Sequence, residues 1–151
     1  MKIRDIMSKK VISAGPDESF GDIVEKLSRN GISGMPVVSG GKVVGVITQT
    51  DIIRGIDIFS GLNDASDIRS ISRMLKGRDI SGERVKKIHG KKVKSIMNKR
   101  VITISGEKSL YDAAKLINEN GIDRLPVVSR GKLVGIVTKK DIIRAMERME
   151  N

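Results

Sequence analysis

One phrase of this sequence occurs twice. GKVVGVITQTDIIRG at residues 41–55 returns as GKLVGIVTKKDIIRA at 131–145. Residues 3–56 align without a gap on residues 93–146 at a constant offset of 90, and 23 of the 54 aligned positions are identical. Because an internal duplication dictates the architecture of a chain, two equivalent units are expected with an insertion between them. The predicted parts are repeat 1 (1–56), a largely helical and basic insertion (57–92) and repeat 2 (93–151).

Each unit has the pattern β-α-β-β-α. In the first unit a short β-branched strand at 11–13 precedes a helix that Ser19 caps and that ends at Asn30-Gly31. Two apolar strands follow, joined by a tight turn in which Gly41 is expected to take a positive φ, and the segment TDIIRG then begins a second helix. The second unit repeats these signals at 101–104, Ser109, Asn120-Gly121 and Gly131.

The apolar hairpin of one unit is too small to bury itself alone. Two units packed sheet to sheet about a pseudo-twofold axis would cover both hairpins. We therefore predict an α+β fold of two βαββα repeats with a helical insertion between them. Burial of Val37, Val46, Val127 and Ile136 would be a direct sign of this packing.

Composition excludes several classes of protein. The 151 residues contain no cysteine, so disulfides and thiolate metal sites are excluded, and no apolar run approaches the length of a membrane span. The N-terminal segment MKIRDIMSKK lacks the apolar region of a secretory signal, which predicts a cytoplasmic protein. The net charge of +11 is uneven: it is +1 over 3–56, +4 over 57–92 and +6 over 93–146. Such a balance favours an anionic ligand or partner.

A Thr-x-x-Asp motif occurs in both units, at Thr48 to Asp51 and at Thr138 to Asp141. It falls where the last strand of the hairpin leads into a helix, whose first N–H groups attract anions. The threonine hydroxyl could donate to a phosphate oxygen, and the carboxylate could accept from both hydroxyls of a ribose. The other interpretation is a capping box, in which the two side chains only satisfy the helix terminus. The two roles are compatible, and both stay open at this point.

The full pattern, IM…VIT…A…NGI…LPVV…GKLVGIVT..DIIRA, resembles the CBS domain, named after cystathionine β-synthase. The resemblance covers residues 3–56 and 93–146 and implies a tandem pair with two clefts, which is often part of a disc-like homodimer. Members of this family are mostly regulatory modules that bind AMP, ADP, ATP or S-adenosylmethionine, and they are rarely enzymes by themselves. The resemblance therefore implies a ligand sensor.

The resemblance also implies ligand-binding residues. The aspartate of the Thr-x-x-Asp motif would hold the ribose and the threonine the phosphate, while adenine would lie between the first strand of one repeat and the segments before the prolines. Lys140 matches a position where related modules sometimes place a lysine that reaches a phosphate. The complete set is Ser13, Ile32, Ser33, Gly34, Met35, Thr48, Asp51, Thr103, Ile122, Asp123, Arg124, Leu125, Thr138, Lys140 and Asp141, together with Ile12 and Ile102 in the first strands.

The two clefts are expected to be unequal. Family members often place a basic side chain just before the proline segment, and repeat 2 has Arg124 there, whereas repeat 1 has Gly34. We expect the cleft of Thr138 and Asp141 to bind phosphorylated adenosine more tightly. For Ile32, Ile122 and Met35, plain core packing is the alternative interpretation.

The insertion predicts an amphipathic helix with an apolar stripe of Ile68, Ile71, Met74 and Leu75. The segment 84–100 then holds eight Lys and Arg and no acidic residue, which is compatible with a solvated surface or with a nucleic-acid contact. Three aromatic residues in the whole chain leave little for base stacking. Exposed helices and the apolar stripe favour a homodimer.

Catalytic signals are nearly absent. The one histidine, His89, lies in a basic stretch without an obvious carboxylate partner, so neither a triad nor a metal site is predicted. We predict a non-enzymatic sensor without a cofactor, with AMP or ATP as the regulatory ligand and an unidentified effector protein as partner. The alternatives are a nucleic-acid-binding or structural interaction protein and an uncharacterised nucleotide-hydrolysing enzyme.

Overall fold

The structure, a computed structural model, describes residues 1–59 and 89–151. The first part contains helix α1 (Ile3–Ile6), helix α2 (Phe20–Asn30), strands β1 (Gly34–Ser39) and β2 (Lys42–Thr48), and helix α3 (Gln49–Phe59). The second part begins with a 3-10 turn (Val93–Ser95) and strand β3 (Ile104–Ser105). Helix α4 (Leu110–Asn120), strands β4 (Arg124–Ser129) and β5 (Lys132–Thr138), and helix α5 (Lys139–Glu150) follow. The predicted helix of the insertion lies outside the described residues.

The local signals of the sequence form as predicted. The hydroxyl of Ser19 accepts a hydrogen bond from the backbone of Asp22 at 3.1 Å, and Ser109 caps α4 in the same way. Gly31 and Gly121 end the two helices in the left-handed conformation. Each hairpin turn has two residues with a positive φ. These are Gly40 and Gly41 in the first hairpin and Arg130 and Gly131 in the second, and the recurring glycines, Gly41 and Gly131, have φ values of +79° and +76°.

The first strand of each repeat differs from the prediction. In repeat 2 only Ile104–Ser105 forms a strand, parallel to β4, and in repeat 1 a single bridge joins Ala14 to Val37. The predicted strand at 11–13 was therefore wrong. Ser8 pairs with Ile136 of the other repeat and Ala14 with Val37 of its own, so the residues between them cross from one hairpin to the other without a neighbouring strand.

This crossing exchanges the N-terminal segments of the two repeats. Ile3 is fully buried in the core of repeat 2, and its counterpart Val93 is fully buried in the core of repeat 1. Backbone hydrogen bonds join Ser8 to Ile136, and they also join Asn98 to Val46, the residues that the offset of 90 makes equivalent to Ser8 and Ile136. An offset that converts one pair into the other is the mark of a pseudo-twofold axis.

The exchanged segments explain a glycine that both hairpins share. A Cβ at Gly45 would lie 2.5 Å from the sulfur of Met97, and a Cβ at Gly135 would lie 2.5 Å from the sulfur of Met7. Each methionine belongs to the other repeat, so these glycines allow the exchanged segment to approach the sheet closely.

The hairpins face each other through β2 and β5, where the Leu133 N–H donates to the Gly41 carbonyl at 3.0 Å. Val37 and Val127 are fully buried, and Val46 and Ile136 are partly buried. The predicted α+β fold of two repeats packed about a pseudo-twofold is confirmed. None of the helices in the described parts of the chain is long and apolar enough to cross a bilayer.

Candidate functional site

Two cavities lie between the repeats, each beside one Thr-x-x-Asp motif. The Asp51 cleft has a volume of about 340 Å³ and the Asp141 cleft a volume of about 540 Å³. Their walls are built from equivalent positions. The offset of 90 relates Ile12 to Ile102, Ile32 to Ile122 and Lys10 to Arg100, and the first member of each pair lines the Asp141 cleft while the second lines the Asp51 cleft. The pseudo-twofold axis therefore relates two versions of one site.

The Thr-x-x-Asp motifs form capping boxes. In the Asp141 cleft the N–H and the hydroxyl of Thr138 both donate to Asp141 Oδ2, at 2.8 and 2.9 Å, and the Asp141 N–H points back to Thr138 Oγ1 at 3.3 Å. Thr48 and Asp51 repeat these contacts at 2.8, 3.0 and 3.4 Å. The capping interpretation is confirmed. Because a single carboxylate oxygen accepts both hydrogen bonds from the threonine, the other oxygen is left for a further partner.

That second oxygen distinguishes the two clefts. Asp51 Oδ1 accepts from Arg54 at 2.5 Å, and the Asp51 residue is 5% exposed. Asp141 is partly exposed and forms no ion pair within the described parts of the chain, although Arg144 occupies the position equivalent to Arg54. The carboxylate of the Asp141 cleft is thus the more available acceptor.

The exchanged N-terminal segments supply the outer wall of each cleft. Ser8, Lys10 and Ile12 of repeat 1 line the cleft whose Thr-x-x-Asp motif belongs to repeat 2, and Asn98, Arg100 and Ile102 do the same for the Asp51 cleft. A ligand in either cleft would therefore contact both repeats at once.

Arg124 lines both cavities. It begins β4 opposite Thr138, but its guanidinium crosses to repeat 1, where it donates to Ser33 Oγ and lies against Gly34. The residue is 8% exposed. Burial lowers the pKa of Arg124, and the negative charge of Asp123 acts in the opposite direction. The pKa of Asp123 is itself lowered, mainly by the hydrogen bond from Lys139.

The charge of the two walls differs. Three cationic side chains and two carboxylates line the Asp51 cleft, a net charge of +1, whereas five and two line the Asp141 cleft, a net charge of +3. The additional cations of the Asp141 cleft are Lys139 and Lys140, at the positions of Gln49 and Thr50. Both clefts can attract an anion, and the Asp141 cleft has the stronger positive field.

A model of the CBS domain family matches residues 3–58 and 93–148. The chain belongs to the CBS domain family. An uncharacterised protein of Methanocaldococcus jannaschii, MJ1426, is 36% identical over 155 residues, covering 97% of this chain and 91% of that protein. The chain spans 39% to 46% of three further relatives from the same archaeon, which are longer proteins.

Two solved CBS pairs are similar in structure and contain ligands. CBSX2 in complex with AMP has a TM-score of 0.74 at 25% identity, covering 99% of this chain and 98% of that one; a protein of this name comes from Arabidopsis thaliana. The CBS domain pair of MJ0100, in complex with 5′-methylthioadenosine and S-adenosyl-L-methionine, has a TM-score of 0.70 at 25% identity and covers 99% and 98%. This chain is similar to both over its whole length.

Most of the residues carried over from the CBS family lie in the clefts. Those that line one or both cavities are Ile32, Ser33, Gly34, Thr48, Asp51, Ile122, Asp123, Arg124, Thr138, Lys140 and Asp141. Four of the predicted residues do not line either cavity. Met35 and Leu125 are fully buried in the two cores, because their side chains point to the opposite face of the strand from Gly34 and Arg124. Ser13 and Thr103 lie next to the isoleucines that do line the clefts, and the Ser13 carbonyl accepts from Lys26 at 2.8 Å.

Sequence reasoning missed four cationic residues of the CBS clefts. Lys10 and Arg100 occupy one equivalent pair of positions, and Arg54 and Arg144 occupy another. Their signal was in the alignment, since each pair keeps its positive charge at the offset of 90. The first pair could not be placed from the sequence, because the exchange brings each residue to the cleft of the other repeat.

The remaining candidates carry no site in the described residues. His89 lies against Gly21 beside a shallow depression, and residues 1–59 and 89–151 contain no group of three or more side chains suited to bind a metal. Within the basic run 84–100, several of the described residues, 89–100, pack or form ion pairs inside the fold. Val93 and Ile96 are buried, and Lys92 and Lys94 lie 3.4 and 3.1 Å from Asp17, whose pKa they lower.

Proposed function

We propose that this CBS pair is a sensor that binds adenosyl ligands in its two clefts, with AMP, ADP, ATP and S-adenosylmethionine as the candidates. The observation that carries the proposal is the convergence in each cleft of a carboxylate and a helix N-terminus from one repeat, a pair of isoleucines from the other repeat, and the Arg124 guanidinium. Each of these groups complements one part of a nucleotide.

The chemistry of an adenosine nucleotide fits these groups part by part. The carboxylate oxygen that is not used in capping can accept from the ribose hydroxyls, and the first N–H groups of α3 and α5 can donate to phosphate. Ile12 with Ile32, and Ile102 with Ile122, offer apolar surface to a flat base. The AMP complex of CBSX2 and the S-adenosylmethionine complex of MJ0100 support this class of ligand.

We propose that the module signals rather than catalyses. Because the walls of each cleft come from both repeats, a bound ligand would stabilise one relative arrangement of the repeats and so change the surface offered to a partner. The partners that we propose for that surface are an effector protein and, in a homodimer, a second copy of this chain. The cytoplasmic location predicted from the N-terminus stays a prediction.

The test is a calorimetric titration of the whole protein with AMP, ADP, ATP, NAD and S-adenosylmethionine at physiological salt. We expect at least one of them to bind, and we expect the double variant Asp51→Ala/Asp141→Ala to lose that binding. The matched control is Asp112→Ala, because Asp112 caps α4 with the same contacts as Asp141 but lies outside both clefts. It should leave binding unchanged.

Two results would overturn the proposal. One is a folded protein that binds none of the five compounds. The other is loss of binding in Asp112→Ala that equals the loss in the double variant, since the motifs would then contribute only helix capping. Tight binding of RNA or DNA with a steep salt dependence, and without adenosyl affinity, would favour the nucleic-acid alternative instead.

A further inference from the structure

The two clefts contain one central guanidinium between them. The pseudo-twofold axis places Arg124 and Gly34 at equivalent positions, opposite Thr138 and Thr48 on their hairpins. Gly34 has no side chain, so the Arg124 side chain extends into the space beside it and reaches Ser33, whose carbonyl in turn accepts from the Gln49 N–H at 2.9 Å. The backbone of Arg124 therefore lies at the Asp141 cleft. Its guanidinium lies at the Asp51 cleft, near the first turn of α3.

This guanidinium forms no ion pair within the described parts of the chain, although the charge of Asp123 is close enough to act on it. Ser33 Oγ is its hydrogen-bond acceptor there, and the nearby carboxylates have other partners: Asp123 lies 3.0 Å from Lys139, and Asp51 lies 2.5 Å from Arg54. A guanidinium has five N–H donors, and at 8% exposure little water reaches those that remain. A buried cation that no described carboxylate contacts directly is unfavourable, so an incoming anion would gain a direct contact with it.

We propose that Arg124 is a phosphate-binding group shared by both clefts, so that a nucleotide bound in one cleft weakens the binding of a second phosphorylated ligand in the other. The inference rests on the proposed function. If the guanidinium turns its paired donors to the phosphate in one cleft, the other cleft loses them. If both phosphates reach the same guanidinium, their like charges repel each other in a poorly solvated space. In both geometries, a nucleotide in one cleft lowers the affinity of the other cleft for a second nucleotide. Adenosine has no phosphate, so its binding in one cleft should not affect the other.

Single-cleft variants separate the two sites. The Asp51→Ala variant keeps the motif carboxylate only in the Asp141 cleft. The Asp141→Ala variant keeps it only in the Asp51 cleft. We expect Arg124→Gln to weaken AMP by about tenfold or more in both backgrounds, which is the size of one charge-assisted contact. Adenosine affinity should change by less than about twofold. A loss of AMP affinity in only one background would overturn the sharing and assign Arg124 to that cleft.

The coupling has its own measurement. In wild-type protein the second AMP should bind about tenfold or more weakly than AMP binds the same cleft in the single-cleft variant, a ratio set by one lost charge-assisted contact. With adenosine the ratio should be close to one. Equal AMP affinities in the two measurements would overturn the coupling.

Folding and the proposed function are controlled separately. If thermal unfolding shows that Arg124→Gln does not fold, Arg124→Lys replaces it, because lysine keeps the charge but not the planar pair of donors; it should weaken AMP in both backgrounds by a smaller factor. A wild type that binds none of the five compounds of the calorimetric titration would mean that the proposed function fails. Binding of S-adenosylmethionine without binding of any nucleotide would mean that only the phosphate-binding role of Arg124 fails. Independent binding of AMP in two clefts would mean that only the sharing fails.

Discussion

The guanidinium of Arg124 occupies the volume that a side chain at Gly34 would need. A Cβ at Gly34 would lie 2.8 Å from Arg124 Cζ and 3.0 Å from the Ile47 carbonyl oxygen. These residues are 90 positions apart and lie on opposite repeats. The pseudo-twofold axis is therefore broken at its centre, where one repeat supplies a long cation and the other supplies the space that holds it.

The first prediction concerns this pair. Gly34→Ala should displace the guanidinium from Ser33 and weaken AMP by about three- to tenfold, which is up to one charge-assisted hydrogen bond, with adenosine unchanged. In the Arg124→Ala background the same substitution should have no further effect on AMP affinity, because the group it displaces is gone. A calorimetric double-mutant cycle measures both values. Additive losses would contradict the direct coupling of the two residues.

The second prediction concerns the inequality of the clefts. Asp141→Ala should remove the tighter phase of AMP binding, and Asp51→Ala should leave it largely intact. Among the described residues, Asp141 Oδ1 has no ion-pair partner whereas Asp51 Oδ1 has Arg54, and the Asp141 cleft has the more positive wall. Titration calorimetry of the two variants beside the wild type measures the effect. If Asp51→Ala removes the tight phase, the stronger site has been assigned to the wrong cleft.

The third prediction concerns the exchanged segments. Gly135→Ala should lower the free energy of unfolding by about 1 to 3 kcal/mol through overpacking against Met7, as measured by chemical denaturation. In the Met7→Ala background the clashing sulfur is absent. There, Gly135→Ala should lower the free energy of unfolding by less than it does in the wild type. The control is Gly15→Ala, whose Cβ would have Glu18 Oε2 at 3.7 Å as its nearest contact. Equal losses at Gly15 and Gly135 would argue against a close approach at β5.

The fourth prediction concerns self-association. α3 and α5 present exposed apolar side chains at equivalent positions, with Ile53 66% and Ile143 65% exposed, next to Met146 and Met149. We expect a homodimer through these helices, so Ile53→Glu/Ile143→Glu should halve the molar mass measured by light scattering. Tyr111→Glu is the control, because Tyr111 is equally exposed but lies on α4. A monomeric wild type at about ten micromolar, a concentration at which even a modest interface is occupied, would contradict the dimer.

The repeat, the elements that follow the first strand of each unit and the chemistry at the helix termini could all be predicted from the amino-acid sequence. Ser19, Ser109, Gly31 and Gly121 act within one turn of their own positions, so local pattern was enough to predict their roles. The Thr-x-x-Asp motifs were also found from sequence because threonine and aspartate meet across three residues, whatever the rest of the chain does. The expectation of two clefts came from the resemblance of both repeats to the CBS domain.

Which segments form each cleft depends on how the two repeats pack, and this could not be predicted from the sequence. Residues 8–12 and 98–102 cross to the opposite repeat, so Lys10 and Arg100 each line the cleft whose Thr-x-x-Asp motif belongs to the other repeat. For the same reason the predicted strand at 11–13 pairs with no strand in the described parts of the chain. An aligned repeat predicts equivalent positions but not whether a segment packs on its own copy or on the other, because both choices bury the same apolar side chains. Arg124 shows the same limit. Its positive charge is evident from the sequence, but its contact with Ser33 of the other repeat depends on the space beside Gly34, which exists only when the two repeats face each other.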